Sequence, residues 1–472
     1  MGLGLHGGGI ESVRYLADRG AVVTVTDLRD EGILAPSLEE LRTIGNRDGI
    51  RYVLGRHEMA DFEQADLVIK NPAVRPDSPF LRAARRIETD ISLFLADSPA
   101  RLTAVTGSKG KSGAASAIHR VLEEARKRGI LPGGAYLGGN ITRSPLAFLD
   151  ELTADDDVVL ELSSWQLGDL RGRVKPPNGG GREGGALLKP RSAVITAILP
   201  DHLDRYGAMD SYVADKRIIY RGQDLAGATI AGDDRWGRSF LAETPGRPLV
   251  YAGSPLEDGR AGGWLSGPAG PGFIRLPGVA GGKITEAVPA HPLTPGRHQK
   301  KNLLAAALAL ADLGIPPDLI RESLGNFPGI EHRLEFFHEQ RGIRFYNDTT
   351  ATIPEAAAAA VAAFDRPPIL VAGGADKNLD FSPLARAAAG VKALALLAGT
   401  GSEKLRTLLD RWGIPYRGPF DTVEAAALAA LEKAEPGDVV VFSPGCASFG
   451  MFLNEFDRGR RWKETVRRLT GA

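Results

Sequence analysis

The 472 residues are too many for one ordinary core, and at about 150 residues per domain they give roughly three domains. Charge balances at 58 Lys plus Arg against 58 Asp plus Glu, which argues against a strongly basic nucleic-acid binder and against an acidic tail. The single cysteine, Cys446, excludes an internal disulfide, and no apolar stretch reaches the roughly 18 residues a membrane span needs.

The opening MGLGLHGGGI lacks the basic and then apolar segments of a leader peptide, so a cytoplasmic chain is expected. Gly2, Gly4 and Gly7 satisfy G-x-G-x-x-G, and Asp27 follows the β-branched run 21–26. In a dinucleotide fingerprint that carboxylate holds a ribose hydroxyl. The strand that should precede Gly2 is absent from the sequence, so nucleotide binding and a bare glycine-rich start stand level on spacing alone. A second strand is predicted at 65–69, with helices at 10–19 and 37–44. Strand and helix in alternation give a Rossmann-like first domain over 1–97. Residues 96–102 read as a linker.

A strand at 102–106 runs into Gly107, Ser108, Lys109, Gly110, Lys111 and Ser112, and then into a helix. That context suits a phosphate loop: backbone N–H groups and a helix N-terminus face an anion, Lys111 reaches terminal phosphates, and Ser112 holds Mg²⁺. The gap before Gly-Lys is shorter than in the usual pattern. Strands at 158–162 and 193–198 belong to the same parallel sheet, and ligands gather at the carboxyl ends of such strands. Glu161 and His202 stand at those ends. On residue type alone a solvated carboxylate is as good a reading of Glu161, and a satisfied loop histidine is the better reading of His202. Lys216, on a helix with Asp210 as its cap, reads as a solvated lysine. Residues 171–190 are glycine-rich and read as an exposed insertion, and 253–282 as hairpins and loops. This central α/β domain spans 98–294.

From 295 to 472 a second Rossmann-like series follows. Its helix is predicted at 302–313 and its strands at 343–346, 369–372, 393–397 and 439–442. Arg333, the run Asn347-Asp348-Thr349-Thr350, Lys377 and the segment 443–448 punctuate it. Singly, each reads as a turn or a surface charge, and Cys446 as a buried thiol.

TGSKGKS, LGGN, SSWQL, DHLDRY, DKRIIY, GRHQKKN, EHRLE, NDTTAT and SPGCASF occur in that order. Together they resemble the Mur ligase family, ATP-dependent amide-forming enzymes of peptidoglycan synthesis. The resemblance implies a three-domain α/β fold with ATP and two Mg²⁺ ions as cofactors. It implies D-glutamate and UDP-N-acetylmuramoyl-L-alanine as substrates, and a monomer with no nucleic-acid or membrane partner. It implies that Leu5, His6, Asp27, Arg29, Asn71 and Asn140 hold the UDP substrate. Gly107 to Gly113, with Asn302, Arg333 and Asp348, would hold ATP. Ser112, Glu161, His202 and a carbamylated Lys216 would hold metal, with Lys111, His202 and Lys216 catalytic. Lys377, Ser448 and Phe449 would hold glutamate. The chain departs from the family at Thr350, where lysine is frequent, and at Gly113, where threonine is common. It also departs at Asn454-Glu455-Phe456, where the aromatic is displaced. Ligation of L-glutamate, another Mur or folylpolyglutamate-type ligase, an NAD-dependent dehydrogenase built on Gly2, Gly4, Gly7 and Asp27, and a non-enzymatic nucleotide-binding regulator are the competing readings.

Overall fold

A computed structural model describes residues 1–5, 7–44, 49–141, 143–175, 185–257 and 259–471. These form two compact units. One comprises the described parts of Met1–Trp264 with Phe273–Ala287 and Asn302–Ile320. The other comprises Leu265–Gly272, Val288–Lys301 and the described chain from Arg321 onward.

The first unit opens with two parallel strand pairs, β1 (Val23–Asp27) with β2 (Ile50–Leu54) and β3 (Val68–Ile69) with β4 (Ile87–Glu88). Met1 and Gly2 lie between the pairs. The Met1 amino group donates to the Ile69 carbonyl at 2.9 Å, and the Gly2 N–H donates to the Thr26 carbonyl at 2.8 Å. A cavity of about 690 Å³ adjoins them, lined in part by Val23, Val25 and Val68. Leu3, Ile10, Val13, Val25 and Leu41 close the core beneath the glycine-rich turn. The second helix runs over Glu31–Leu41, capped by Asp30 and passing through Pro36, not over 37–44.

The second sheet has nine strands in the order β13-β12-β11-β10-β9-β8-β5-β7-β6. In chain order these are β5 (Arg101–Thr106), β6 (Ala135–Gly139), β7 (Asp157–Glu161), β8 (Ser192–Ile195), β9 (Ala228–Gly232), β10 (Arg247–Ala252), β11 (Gly262–Leu265), β12 (Gly272–Arg275) and β13 (Thr285–Val288). The strands from β6 to β11 pair in parallel. Their continuous apolar burial is what a sheet covered on both faces requires. The helix Lys111–Lys127 buries Ala114, Ile118, Val121 and Ala125, the i, i+4, i+7, i+11 stripe of an amphipathic helix. Each fully buried Ile or Val in that stripe contributes roughly 1.5–3 kcal/mol.

The stretch 253–282, read as hairpins and loops, holds β11 and β12, consecutive strands that neighbour each other in the sheet across the loop 266–271, and Gly263 packs there where a Cβ would lie 2.9 Å from Leu304. The insertion is anchored at its base, where Val174 and Ala186 form an antiparallel bridge and Leu187 and Leu188 are buried. Residues 176–184 lie outside the described residues.

The second unit holds β14 (Glu335–Gln340), β15 (Ile343–Asn347), β16 (Ile369–Gly373), β17 (Ala393–Leu397), β18 (Arg417–Phe420) and β19 (Val439–Phe442), in the order β14-β15-β19-β16-β17-β18. β14 is antiparallel to β15, and the other pairings are parallel. Helices Pro354–Val361, Ser382–Ala388 and Thr400–Trp412 pack apolar residues against it, and Trp462 stacks on Phe442 with ring centroids 4.8 Å apart. Cys446 is buried here, and burial pushes its thiol up to about 12, as expected of a structural cysteine.

Candidate active site

β5 ends at Thr106, and the chain turns through Gly107–Gly110 into the helix starting at Lys111. Gly107 and Gly110 take φ of 150° and 94°, values that a side chain resists. Space demands glycine too. A Cβ on Gly107 would strike the Thr196 hydroxyl, and one on Gly110 would lie 2.5 Å from the amide of Asn302. Asn302 is thus held against the loop. Ser108 is buried as a structural pin: its hydroxyl donates to the Leu199 carbonyl at 2.8 Å and meets the Tyr212 hydroxyl at 2.8 Å. Lys111 curls back onto its own loop, donating to the Gly107 and Ser108 carbonyls at 3.0 and 3.2 Å. Lys109 is exposed, Ser112 half-buried and Gly113 buried.

Lys216 is not a solvated helix lysine. It is 1 % exposed, and its ammonium donates to the Gly107 carbonyl at 2.9 Å and to the Thr106 hydroxyl at 3.3 Å. Burial, reinforced by the Lys111 charge, pushes its amine down to about 7. Its helix, Met209–Lys216, begins after Ala208, so Asp210 sits inside the first turn and is not the cap.

Glu161 closes β7 and is buried, not solvated. Oε1 accepts from the Asn140 amide at 3.2 Å, and Oε2 is buried with no partner. Such an orphaned carboxylate oxygen calls for a cation. His202 caps the short helix Leu203–Tyr206 in the left-handed region, with φ of 53°. Its side chain is 44 % exposed and its ring lies 4.8 Å from that of Trp165. It also faces the Asp201 carboxylate at 3.9 Å, so the loop-histidine reading stands while the ring stays accessible to a ligand.

A cleft of about 1180 Å³ in the same unit is lined by Leu5, Asp27, Arg29, Asn71 and Asn140. His6 lies outside the described residues. Asp27 organises the glycine turn, accepting from Gly4 N–H at 3.0 Å and Arg29 N–H at 2.9 Å. His57, Phe80, Trp165 and Gln166 also line the cleft. Sequence reasoning missed them as contacts, although the S-x-x-Q spacing of Ser163 and Gln166 forms a capping box that marks the helix start. Nothing in the sequence pattern marked His57.

In the second unit Asp348 directly follows β15. It accepts from the Leu334 N–H at 3.0 Å and from the Ser443 hydroxyl at 2.6 Å. Burial pushes its carboxyl up to about 6, against the pull of the nearby Arg333 guanidinium. Arg333 itself is exposed. Thr350, where the family often has lysine, donates to the His332 carbonyl at 2.9 Å. The Ala375–Ala447 bridge brings Lys377, Ser448 and Phe449 to one edge: Lys377 and Phe449 are exposed and Ser448 is buried. Glu331, His332 and Glu335 also cluster, but Lys463 already pairs with both carboxylates, at 2.8 and 2.9 Å.

Three family descriptions match the chain: the Mur ligase MurD-like N-terminal domain over residues 1–92, the Mur ligase middle domain over 105–310, and the Mur ligase glutamate ligase domain over 332–446. The chain is 40% identical to UDP-N-acetylmuramoylalanine–D-glutamate ligase of Treponema pallidum, with 99% of this chain and 96% of that relative covered. It is also 40% identical to the enzyme of that name from Roseiflexus, covering 100% and 98%. The MurF ligase of Thermotoga maritima, solved with ADP, shares the fold with a TM-score of 0.54 at 15% identity, covering 95% of each chain. The full-length identity and the ordered motifs agree with the phosphate loop and the cleft described above, and the chain belongs to the Mur ligase family.

Proposed function

We propose that this chain joins D-glutamate to UDP-N-acetylmuramoyl-L-alanine with cleavage of ATP. The observation that carries this is 40% identity, over essentially the whole chain, to two ligases of that name. The glycine-rich start with Asp27 falls within the match to the Mur ligase MurD-like N-terminal domain, which favours this reading over a dehydrogenase.

The site residues then take roles. Leu5, Asp27, Arg29, Asn71 and Asn140 line the cleft for the UDP substrate. Gly107 to Gly113 present backbone N–H groups and the helix N-terminus to ATP phosphates, with Asn302 against the loop. Arg333 and Asp348 serve the nucleotide from the second unit, and Lys377, Ser448 and Phe449 take glutamate. Ser112, Glu161 and His202 form a donor set that fits a divalent cation, with the orphaned Glu161 oxygen as its anionic member. Lys216, poised near neutrality, adds its amine nitrogen to CO₂ and releases a proton. The resulting carbamate oxygen is a ligand that the ammonium cannot provide, and it makes room for a second ion. Bound Mg²⁺ supplies Lewis-acid neutralisation of phosphate charge.

In the reaction the substrate carboxylate attacks the γ-phosphorus of ATP and ADP leaves. Lys111 neutralises the transferring phosphoryl group. The glutamate amine then attacks the acyl carbon, an amide forms and phosphate departs. Purified protein with ATP, Mg²⁺, bicarbonate, UDP-N-acetylmuramoyl-L-alanine and D-glutamate is expected to release phosphate. No release, or equal release with L-glutamate, overturns the reading.

A further inference from the structure

Asn71 is fixed from both sides by cations that reach across the wall of the cleft. On one side Lys70, 3 % exposed, pairs through its ammonium with Asp169 at 2.6 Å. Asp169 ends the helix Ser164–Asp169, and the other end of that helix carries the cleft residues Trp165 and Gln166. On the other side Arg205 donates to the Pro72 carbonyl at 3.4 Å and to the Ala73 carbonyl at 3.4 Å. Its guanidinium lies 4.2 Å over the Trp165 ring. The exchange is reciprocal: a lysine beside β3 reaches the helix after β7, and an arginine after β8 reaches back to the loop after β3. The Asn71 side chain is itself set by a bond from the Ala73 N–H at 3.0 Å.

A buried ion pair is a poor source of stability, because desolvation of both charges offsets their attraction. A directional role explains it better. Lys70 and Arg205 flank Asn71, on the loop whose residues from Asn71 to Arg75 line the cleft. They fasten that loop to the helix that carries the cleft residues Trp165 and Gln166, and so they set the shape of the cleft.

We propose that Lys70 and Arg205 are positioning residues that hold Asn71 against the 164–169 helix and so determine affinity for the UDP-bearing substrate. This rests on the functional reading above. Lys70→Met alone takes from the buried Asp169 the cation bonded to it at 2.6 Å, leaving it the fields of Arg205 and Arg173, and risks unfolding. Lys70→Met/Asp169→Leu removes both charges and is expected to melt close to the parent.

The full-length parent, that double variant and Arg205→Met are titrated with UDP and assayed for phosphate release. Both variants are expected to raise the Kd for UDP and the KM for the UDP substrate about tenfold. KM for ATP and kcat at saturation are expected to stay within about twofold of the parent. Unchanged KM in variants that melt like the parent overturns the inference. So does a kcat loss that merely tracks the folded fraction, which is the signature of a structural role. A parent that binds no UDP overturns the functional reading and this inference with it. UDP bound equally by parent and variants overturns this inference alone.

Discussion

The Lys216 ammonium donates to the carbonyl of Gly107 at 2.9 Å, which ties the lysine to the first residue of the phosphate loop. Two cations, Lys111 and Lys216, thus converge on one carbonyl oxygen. Their repulsion adds to burial in lowering the Lys216 amine to about 7.

That lowering sets a pH dependence. A lysine whose folded pKa lies below its ordinary value is neutral above about 7 and protonated below it, and only the neutral amine takes up CO₂. Phosphate release is therefore expected to rise between about pH 6 and 8. It is expected to fall in CO₂-free buffer and to recover with bicarbonate. ¹³C-bicarbonate should produce a carbamate carbon resonance that Lys216→Arg lacks. Full activity without CO₂ and no such resonance would remove the carbamate from the mechanism.

Gly107→Ala tests the loop. The added methyl meets the Thr196 hydroxyl at a φ of 150°, so either the loop or β8's end must shift. Overpacking of this kind costs about 1–3 kcal/mol. Thermal denaturation should show that loss, with ATP binding weakened further because the displaced N–H groups no longer converge. Thr196→Ser keeps the hydroxyl and should not rescue the variant, whereas Thr196→Ala removes the most severely struck atom and should rescue it in part, the strain at φ 150° and the contact with the Thr196 Cβ remaining. Failure of that rescue would place the damage elsewhere.

The strands were legible in the sequence as short apolar runs bounded by turn residues, and the phosphate loop as a β-strand run leading into glycines. The strands 393–397 and 439–442 match to the residue. Lys216 and Glu161 were not legible as buried groups. Helix and strand patterns give only a face, whereas burial here comes from the loop at Gly107 and from Asn140, more than 20 residues away in sequence. Arg333 and Lys377 remain exposed, so their residue-level reading as surface charges matches the structure as far as burial goes. The glycine-rich 253–282 stretch was legible as hairpin and loop, with Gly259 and Gly281 at positive φ in open space, but the close packing of Gly262 and Gly263 beside Val250 and Leu304 was not.

Asp348→Asn is expected to change stability in a pH-dependent way. The folded carboxyl titrates at about 6, above the roughly 4 of an unfolded aspartate, so the native state holds the extra proton between those values. Stability falls as pH rises through that window. The asparagine removes that loss. Relative to the parent it should gain on the order of 1–2 kcal/mol at pH 8 compared with pH 4. Urea titrations at the two pH values measure it, and a difference that does not vary with pH would contradict the assignment.

Lys377→Ala separates the amino-acid site from the rest. Lys377 is exposed, and Asp376 beside it pairs with Lys404, so its loss should leave the melting temperature unchanged. If it takes the glutamate carboxylate, KM for D-glutamate rises by roughly 10-fold or more, the loss of a charge-assisted bond worth about 1.5–3 kcal/mol. KM for ATP and for the UDP substrate should not move. A parallel rise in all three would deny it a specific role.

Glu161→Gln gives two readouts that move in opposite directions. Oε2 of Glu161 is a buried carboxylate oxygen without a partner, and Oε1 is held only by Asn140. In metal-free buffer the neutral side chain relieves the burial of a carboxylate whose Oε2 has no hydrogen-bond partner, offset by the attraction it gives up to the Lys216 ammonium, so the variant should melt at least as high as the parent. In Mg²⁺ the order reverses. Even groups one shell removed from a metal shift its affinity about 10- to 100-fold, and loss of the anionic donor itself should cost at least as much. The Mg²⁺ concentration for half-maximal phosphate release should rise accordingly, and the thermal stabilisation that Mg²⁺ gives the parent should vanish. A variant that melts lower without metal, yet keeps the parent's Mg²⁺ response, would show that Glu161 serves the fold and not the ion.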